Sequence, residues 1–310
     1  MAWLEITLDT AAQEIETVSA ALTAYGFSEL VIEDQQELEG FLEENRACWD
    51  YIDEKLQKQL EGLSRIRLYL DDADAAGLSR LRRFAEERSL PMTVKSLEDA
   101  NWDESWKSSY PPLEVGSRLA VIPCWLADEY ESDRLKVILD PGLTFGTGAH
   151  PSTQMVMEAM ERLLRPGDRC LDLGSGSGIL SITALCLGAE HAFGVDIDPK
   201  AEDAARENAA YNGFGPDRFT ALTGNVTNDR QLMDRLKQEH CRIVLVNIVA
   251  DVIISLAPVL PQFLTAESSL ILSGILDTRL EDVRSALIRA GLRITAAHSK
   301  EEWRCLEAAL

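Results

Sequence analysis

The chain has 310 residues, a hydrophobic content of 46% and a formal net charge of −22 at pH 7. This length allows two globular domains with buried cores, and the composition excludes the disordered and fibrous classes of protein. Binding to the phosphate backbone of nucleic acids depends on Lys and Arg, so the large excess of acidic residues leads us to expect no nucleic-acid partner.

The first residues, MAWLEITLDTAAQEIE, lack the basic segment followed by an apolar segment that marks a secretory signal. No run of about 18 apolar residues occurs in the sequence, so we expect a cytoplasmic protein that does not associate with membranes, and we expect a monomer. Six cysteines are scattered without a C-x-x-C pair, and four histidines do not fall at metal-ligand spacing. We therefore expect no bound metal.

The first hundred residues carry the pattern of a small α+β domain. The predicted elements, in chain order, are a strand (Trp3–Leu8), a helix (Ala11–Tyr25), a strand (Glu29–Glu33), a polar stretch through Trp49, a strand (Arg65–Asp71), a helix (Ala75–Arg88) and a strand (Met92–Glu98). The order β-α-β-β-α-β predicts a ferredoxin-like sandwich over residues 1–100. Acidic residues outnumber basic ones by 22 to 10 in this part. Such a charge could attract a basic protein, although solubility alone would also explain it.

Residues 101–116, with the sequence NWDESWKSSYPPLEVG, are polar, aromatic and interrupted by prolines. This composition predicts a linker between the first domain and a second domain of residues 117–310. The linker contains Trp102 and Trp106, which we expect to anchor it to a neighbouring domain.

Short apolar strands alternate with helices from Arg169 onward. The predicted strands are RCLDL, HAFGVDI, RFTAL, RIVLVN and SSLILSG. This alternation predicts a parallel, doubly wound sheet. The last two strands, LRITAAHSK and EWRCLEAAL, are joined by too few residues for a parallel crossover, so we expect them to pair as an antiparallel hairpin.

The stretch LDLGSGSGIL places Gly174, Gly176 and Gly178 between a strand and a helix. Glycines at this point allow a tight turn and let a ligand approach the start of the helix. A dinucleotide fingerprint, G-x-G-x-x-G, would need its third glycine at the position of Ile179. The spacing therefore favours a ligand without a pyrophosphate, and the alternative is a glycine-rich turn that binds nothing.

The next strand, within HAFGVDIDP, ends in Asp196, whose carboxylate could accept both hydroxyls of a ribose. Asp198 and Pro199 are predicted to be the N-cap and first-turn proline of the following helix. NAD and S-adenosylmethionine both carry an unmodified ribose, so Asp196 leaves both ligands open. The glycine spacing favours S-adenosylmethionine.

The sequences LDLGSGSGIL and VDIDP resemble motifs I and II of the class I methyltransferases, which use S-adenosylmethionine and have a seven-stranded Rossmann-like sheet with a terminal antiparallel hairpin. More narrowly, DPGLTFGTGAHPST (140–153), NIVA (247–250) and LSGIL (272–276) resemble the PrmA family. That family methylates large-subunit ribosomal protein eleven on lysine or N-terminal amines. The resemblance spans essentially the whole chain and implies that the ferredoxin-like domain recognises the protein substrate.

The resemblance also implies the site residues. Those expected to contact the cofactor are Phe145, Thr147, Thr153, Gly174, Gly176, Asp196 and Asn247. The glycine-rich segment that contains Phe145 would close over the methionine end of the cofactor, with glycines as hinges. Thr153 could alternatively cap a helix, and His150 is expected to be a structural residue at the helix start rather than a base.

Asn247 stands at the carboxyl end of a buried strand, where open α/β sheets bind ligands, and by resemblance it is the catalytic residue. Related amine methyltransferases have an Asn or Asp followed by prolines and an aromatic residue at this place. The sequence NIVA lacks the aromatic residue, which disfavours a flipped nucleobase and suits an aliphatic amine. The alternative role for Asn247 is to cap the following helix near Asp251.

Two other functions remain open from the sequence. One is a class I methyltransferase with another target, such as a small amine, a different protein or RNA. The other is a dinucleotide-dependent oxidoreductase or a binding protein without catalysis. The missing third glycine counts against the oxidoreductase, and the presence of Gly174, Asp196 and Asn247 together counts against a protein that only binds.

Overall fold

The computed structural model describes residues 3–11, 14–27, 30–34, 64–97, 107, 110–141 and 148–310. The polar stretch through Trp49, the linker residues Trp102 and Trp106, and the glycine-rich residues 142–147 lie outside the described residues. The chain divides into two compact units, Met1–Ser109 and Tyr110–Leu310.

Within its described residues, the first unit contains a four-stranded antiparallel sheet and two helices. These are β1 (Trp3–Asp9), α1 (Ile15–Ala24), β2 (Val31–Asp34), β3 (Ser64–Asp71), α2 (Ala75–Glu87) and β4 (Met92–Leu97). The strand order is β2-β3-β1-β4, and alternate residues such as Ile6 and Leu68 form one core with Leu22 and Phe84 of the helices. This is the ferredoxin-like arrangement that the order of elements predicts.

The second unit begins with a small sheet that the sequence did not predict. Its strands are β5 (Leu113–Val115), β6 (Leu119–Pro123) and β7 (Leu135–Leu139). β5 pairs antiparallel with β6, and β6 pairs parallel with β7. β5 lies inside the segment that we predicted to be a linker. Strands of three to five residues contain too few pattern repeats to be recognised by periodicity.

The remainder of the second unit is built on a sheet that has seven strands in the described residues. The strands are β8 (Arg169–Leu173), β9 (His191–Asp196), β10 (Phe219–Thr223), β11 (Ile243–Asn247), β12 (Ser269–Leu276), β13 (Arg293–Lys300) and β14 (Trp303–Ala309). The helices are α3 (Pro151–Leu163), α4 (Ile179–Cys186), α5 (Pro199–Tyr211), α6 (Arg230–Lys237), α7 (Ala250–Leu256) and α8 (Leu280–Arg289). This architecture confirms the predicted class I methyltransferase fold.

The strand order of this sheet is β10-β9-β8-β11-β12-β14-β13. The first five strands in this order are parallel, and the predicted hairpin of β13 and β14 is antiparallel. β14 is inserted between β12 and β13, so the last strand of the chain lies inside the sheet and β13 forms its edge. The position of β14 depends on long-range pairing, which the hairpin pattern did not indicate.

Apolar side chains on both faces of the parallel strands explain their continuous hydrophobic sequences. In β11, Ile243 and Leu245 pack into the core formed with α3, α4 and α5, whereas Val244 and Val246 pack into the core formed with α6, α7 and α8. A strand buried on both faces has no polar alternation. This packing holds the strand ends in fixed positions at the edge of the sheet.

The carboxyl ends of the parallel strands lie side by side, with Val246 paired to Leu173 and Asn247 paired to Ser273. The strand order reverses at β8, which has β9 on one side and β11 on the other. In open α/β sheets a ligand crevice forms at this reversal, outside the carboxyl ends of the strands. In the described part of the chain, no helix is both long and apolar enough to span a bilayer.

Candidate active site

The glycine-rich loop joins β8 to α4 at the carboxyl edge of the sheet. The N–H groups of Gly174 and Ser175 both donate to the Val195 carbonyl, at 2.8 and 3.1 Å, which ties the loop to the end of β9. Gly174 has φ +80°, and a Cβ atom there would lie 2.4 Å from Cγ2 of Ile248. A side chain at this position would therefore force the loop or Ile248, which follows Asn247, to shift.

Asp196, at the end of β9, is held by two backbone groups. Its Oδ2 atom accepts from the Gly176 N–H at 2.9 Å, and its Oδ1 atom accepts from the Asp198 N–H at 3.0 Å. A carboxylate oxygen can accept more than one hydrogen bond, so both oxygens can still accept from ribose hydroxyls. The Asp198 side chain accepts from the Lys200 N–H, and Pro199 begins α5, which confirms the predicted cap.

Ile197, directly after Asp196, is 73% exposed although its side chain is large and apolar. A flat apolar group bound beside Asp196 would remove this side chain from water. Ile197 was not among the site residues predicted from the sequence. The feature that could have indicated it is an apolar residue between two aspartates in the turn after a strand.

Asp172, at the end of β8, is 1% exposed. Its Oδ2 atom accepts from the N–H and the hydroxyl of Ser181, at 3.1 and 2.9 Å. Within the described residues, its buried Oδ1 atom has no hydrogen-bond partner. An unpartnered buried acceptor is costly, and a positively charged amino group of a bound ligand would satisfy it. Asp172 was not among the site residues predicted from the sequence.

Burial raises the pKa of Asp172 to about 7, the hydrogen bonds from Ser181 lower it in part, and the charge of Asp196 raises it. The folded protein therefore binds a proton between about pH 4 and pH 7 that the unfolded chain has lost. The free energy of unfolding contributed by this group falls as the pH rises through that window.

We expect Asp172→Asn to remove this pH-dependent loss. As the pH rises from about 4 to 7, the unfolding free energy of the wild type should fall relative to that of the variant. Urea unfolding at several pH values measures this difference, with Asp203→Asn, whose side chain is 83% exposed, as a surface control. Parallel curves for Asp172→Asn and wild type over this range would contradict the prediction.

Asn247 contacts the start of α3. Its amide Nδ2 donates to Oγ1 of Thr153 at 3.1 Å, and Thr153 is 4% exposed. The N-cap of α3 is His150, whose Nδ1 accepts from the Ser152 N–H, so Thr153 is not the cap. Val249 is the N-cap of α7, and the Asn247 amide bonds to Thr153 instead of capping that helix.

His150 has the structural role expected from its position. Its ring packs edge-on against Trp303, with 4.5 Å between ring centroids, and its Nδ1 lies 2.6 Å from the Ser152 hydroxyl. Burial lowers the pKa of His150, while the charges of Glu302 and Glu301 oppose this shift. These contacts fix the first turn of α3 and thereby the position of Thr153.

Pairwise contacts connect five of the predicted site residues at the carboxyl edge of the sheet. Asp196 contacts Gly176, Gly174 adjoins Ile248, and Asn247 contacts Thr153. The other two predicted residues, Phe145 and Thr147, lie outside the described residues. The acceptor oxygens of Asp196 fit the ribose of S-adenosylmethionine, and the unpartnered Oδ1 of Asp172 fits its amino group. The close approach of the loop at Gly174 fits a ligand without a pyrophosphate.

Comparison with known proteins identifies the family. Residues 2–310 match the model of the family described as "Ribosomal protein L11 methyltransferase (PrmA)". A "Ribosomal protein L11 methyltransferase" of Heliobacterium modesticaldum is 35% identical over 99% of this chain and 97% of its own length. One of Chloroflexus aurantiacus is 33% identical over 97% of this chain and 96% of its own length.

A solved structure agrees with these relatives. The crystal structure of a ribosomal protein L11 methylase from Lactobacillus delbrueckii subsp. bulgaricus superposes with a TM-score of 0.56 and 29% sequence identity, covering 64% of this chain and 98% of that one. Both the sequence match over nearly the whole chain and the shared fold lead to one assignment. The chain belongs to the PrmA family, the ribosomal protein L11 methyltransferases.

Proposed function

We propose that this protein transfers methyl groups from S-adenosylmethionine to lysine amines, N-terminal amines or both in ribosomal protein L11. The observation that carries the proposal is the continuous site of Asp196, the glycine-rich loop, Asn247 and Thr153 at the carboxyl edge of the sheet, in a member of the PrmA family. The relatives that match over nearly their full length are named ribosomal protein L11 methyltransferases.

S-adenosylmethionine, when bound, supplies a methyl group on a positively charged sulfur that is already activated for displacement. We assign its ribose to Asp196, its adenine to the exposed face of Ile197 and its amino group to Asp172. Support comes from the two ordered carboxylate oxygens of Asp196, the 73% exposure of Ile197 and the unpartnered Oδ1 of Asp172. Phe145 and Thr147 remain predicted cofactor contacts.

Asn247 is the proposed catalytic residue because its amide stands at the strand end beside the loop. Its hydrogen bond to Thr153 fixes the amide, which lets it orient the attacking nitrogen. Such alignment can lower a barrier by about 7–11 kcal/mol in favourable cases. The nitrogen must also be neutral. An N-terminal amine, with a pKa of about 8, loses its proton to water more readily than a lysine amine, with a pKa of about 10.4.

We assign recognition of the protein substrate to the first unit. Its support is the composition of the first hundred positions, 22 acidic and 10 basic residues, whose negative charge would attract a basic protein substrate. The net charge of −22 supports a protein rather than an RNA substrate, because RNA would be repelled.

Replacing Asp196 with alanine is expected to weaken S-adenosylhomocysteine binding by about 100-fold, since two hydrogen bonds to a charged group are lost at about 1.5 kcal/mol each. Asp198→Ala is the matched control because it removes a nearby carboxylate that caps α5. The control should lose about 1 kcal/mol of stability and keep its affinity. Isothermal titration and thermal unfolding measure both quantities, and equal affinity losses in the two variants would refute the role of Asp196.

Transfer of radiolabelled methyl groups from S-adenosylmethionine to unmethylated ribosomal protein L11 tests the function. We expect label on L11 and its loss when the amines of L11 are first acetylated. Label on acetylated L11 would show that another group is methylated. Stabilisation of the protein by NADH but not by S-adenosylhomocysteine would instead support a dinucleotide-dependent enzyme.

A further inference from the structure

Helix α5, which is rich in alanine, contains Asn208 and ends at its C-cap Asn212, one turn later. Asn208 is only 2% exposed. Asparagine is a weaker helix former than alanine, and a buried amide is costly unless its donors and acceptor are bonded. Its presence inside this helix therefore indicates a specific task.

The Asn208 side chain bonds to two separate segments. Its Oδ1 atom accepts from the Asp140 N–H at 2.8 Å, directly after β7. Its Nδ2 atom donates to the Ser177 carbonyl at 2.9 Å, in the glycine-rich loop. One buried amide thus joins the end of the small sheet to the loop between β8 and α4.

Asn212 holds the same strand without bonding to the loop. Its Oδ1 atom accepts from the Ile138 N–H at 2.8 Å, and its Nδ2 atom donates to the Ile138 carbonyl at 2.7 Å and to the Asn208 carbonyl at 2.8 Å. The two asparagines therefore share the contact with the strand region, whereas the bond to Ser177 belongs to Asn208.

The bond to Ser177 acts on a single peptide unit. The Ser177 carbonyl and the Gly178 N–H are parts of the same planar group, so holding the carbonyl also fixes the direction of the N–H. Gly178 has φ +79° and is the N-cap of α4, and its N–H donates to the Ser175 carbonyl at 2.8 Å. The conformation of the loop thus depends on the orientation of this peptide.

We propose that Asn208 is a positioning residue for the methyl donor: by its bonds to Ser177 and Asp140 it holds the glycine-rich loop in the conformation that binds the cofactor. The inference rests on the proposed function, because it takes S-adenosylmethionine as the ligand of the loop. Asn208 acts through Ser177 and has no direct role toward the reacting atoms.

The test compares Asn208→Asp with Asn212→Asp. Each change keeps the size of the side chain and its accepting oxygen, removes the donating Nδ2 and adds one negative charge. We expect Asn208→Asp to weaken S-adenosylhomocysteine binding by about tenfold or more, because a carboxylate oxygen would face the Ser177 carbonyl. Asn212→Asp should stay within about twofold of the wild type.

Hydrogen exchange of the ligand-free proteins gives a second readout that does not depend on activity. Asn208→Asp should increase amide exchange in peptides that cover residues 174–181, and Asn212→Asp should increase it around residues 136–140. If Asn208→Asp does not fold, S-adenosylhomocysteine affinity and amide exchange of residues 174–181 are measured in Asn208→Ala instead, because alanine favours the helix.

Wild-type affinity in the Asn208 variant, or equal losses in both variants, would overturn the proposal. Failure of the wild-type protein to bind S-adenosylhomocysteine would instead overturn the proposed function. The two failures are therefore distinguishable in one titration series.

Discussion

Replacing Asn247 with alanine is expected to lower kcat for methyl transfer by about 100-fold while the protein stays folded, because loss of one positioned polar group at a reacting centre has effects of this size. The amide lies at the end of β11 and donates to Thr153, so its truncation removes a group at the surface of the site. Circular dichroism and thermal unfolding, measured with the kinetics, show whether the fold is intact.

Thr153→Val tests the support of the Asn247 amide. The valine keeps the volume of Thr153 but removes the acceptor Oγ1, so we expect kcat to fall by about tenfold. Thr183→Val is the matched control, since that buried hydroxyl bonds within α4 to the Ile179 carbonyl. If both threonine variants lose stability equally and keep kcat, and Asn247→Ala also keeps kcat, Asn247 has only a structural role.

Gly274→Ala is expected to reduce kcat by about 100-fold through displacement of the segment after Asn247. Gly274 has φ +82°, and a Cβ atom there would lie 2.4 Å from the Ile248 carbonyl oxygen and 2.8 Å from its carbonyl carbon. These are backbone atoms, so the clash cannot be relieved by a change of rotamer. The Ile248 N–H bonds to the Ser273 carbonyl, and the added methyl group would strain this link.

Gly291→Ala is the control that has the cost of the backbone conformation without the clash. Gly291 has φ +86°, but a Cβ atom there would meet nothing within 4 Å among the described residues. Both variants should lose about 1–2 kcal/mol of stability, because alanine disfavours the left-handed region. A further loss, together with the fall in kcat, should occur only in Gly274→Ala. Equal kcat values in the two variants would disprove this account of the Asn247–Ala250 segment.

Local patterns were sufficient to predict the alternating strands and helices of the second unit from Arg169 onward. Apolar runs such as the one that ends at Asn247 predicted buried parallel strands, and Asp198 with Pro199 predicted the start of α5. These features depend on residues close in sequence, where periodicity and capping rules apply. The small sheet was missed because its strands have only three to five residues, and the position of β14 was missed because its pairing with β12 joins segments distant in the sequence.

The chemistry of the site could be predicted only where the residue type and its spacing indicate a ligand. Glycines at alternate positions and an acid at the end of the next strand indicate a nucleoside-like ligand, and the structure places Gly174 and Asp196 on the same loop network. Asn208, in contrast, has the appearance of any polar helix residue until its burial is known. The raised pKa of Asp172 likewise follows from burial in three dimensions.

The most direct test of the account is mass spectrometry of unmethylated ribosomal protein L11 after incubation with this protein and S-adenosylmethionine. The wild-type protein should add mass to L11 in steps of one methyl group, and peptide mapping should place them on lysine side chains or the N-terminal amine. Asn247→Ala should slow these additions by about 100-fold. An unchanged mass of L11, with wild-type protein that binds S-adenosylhomocysteine, would contradict the proposed substrate.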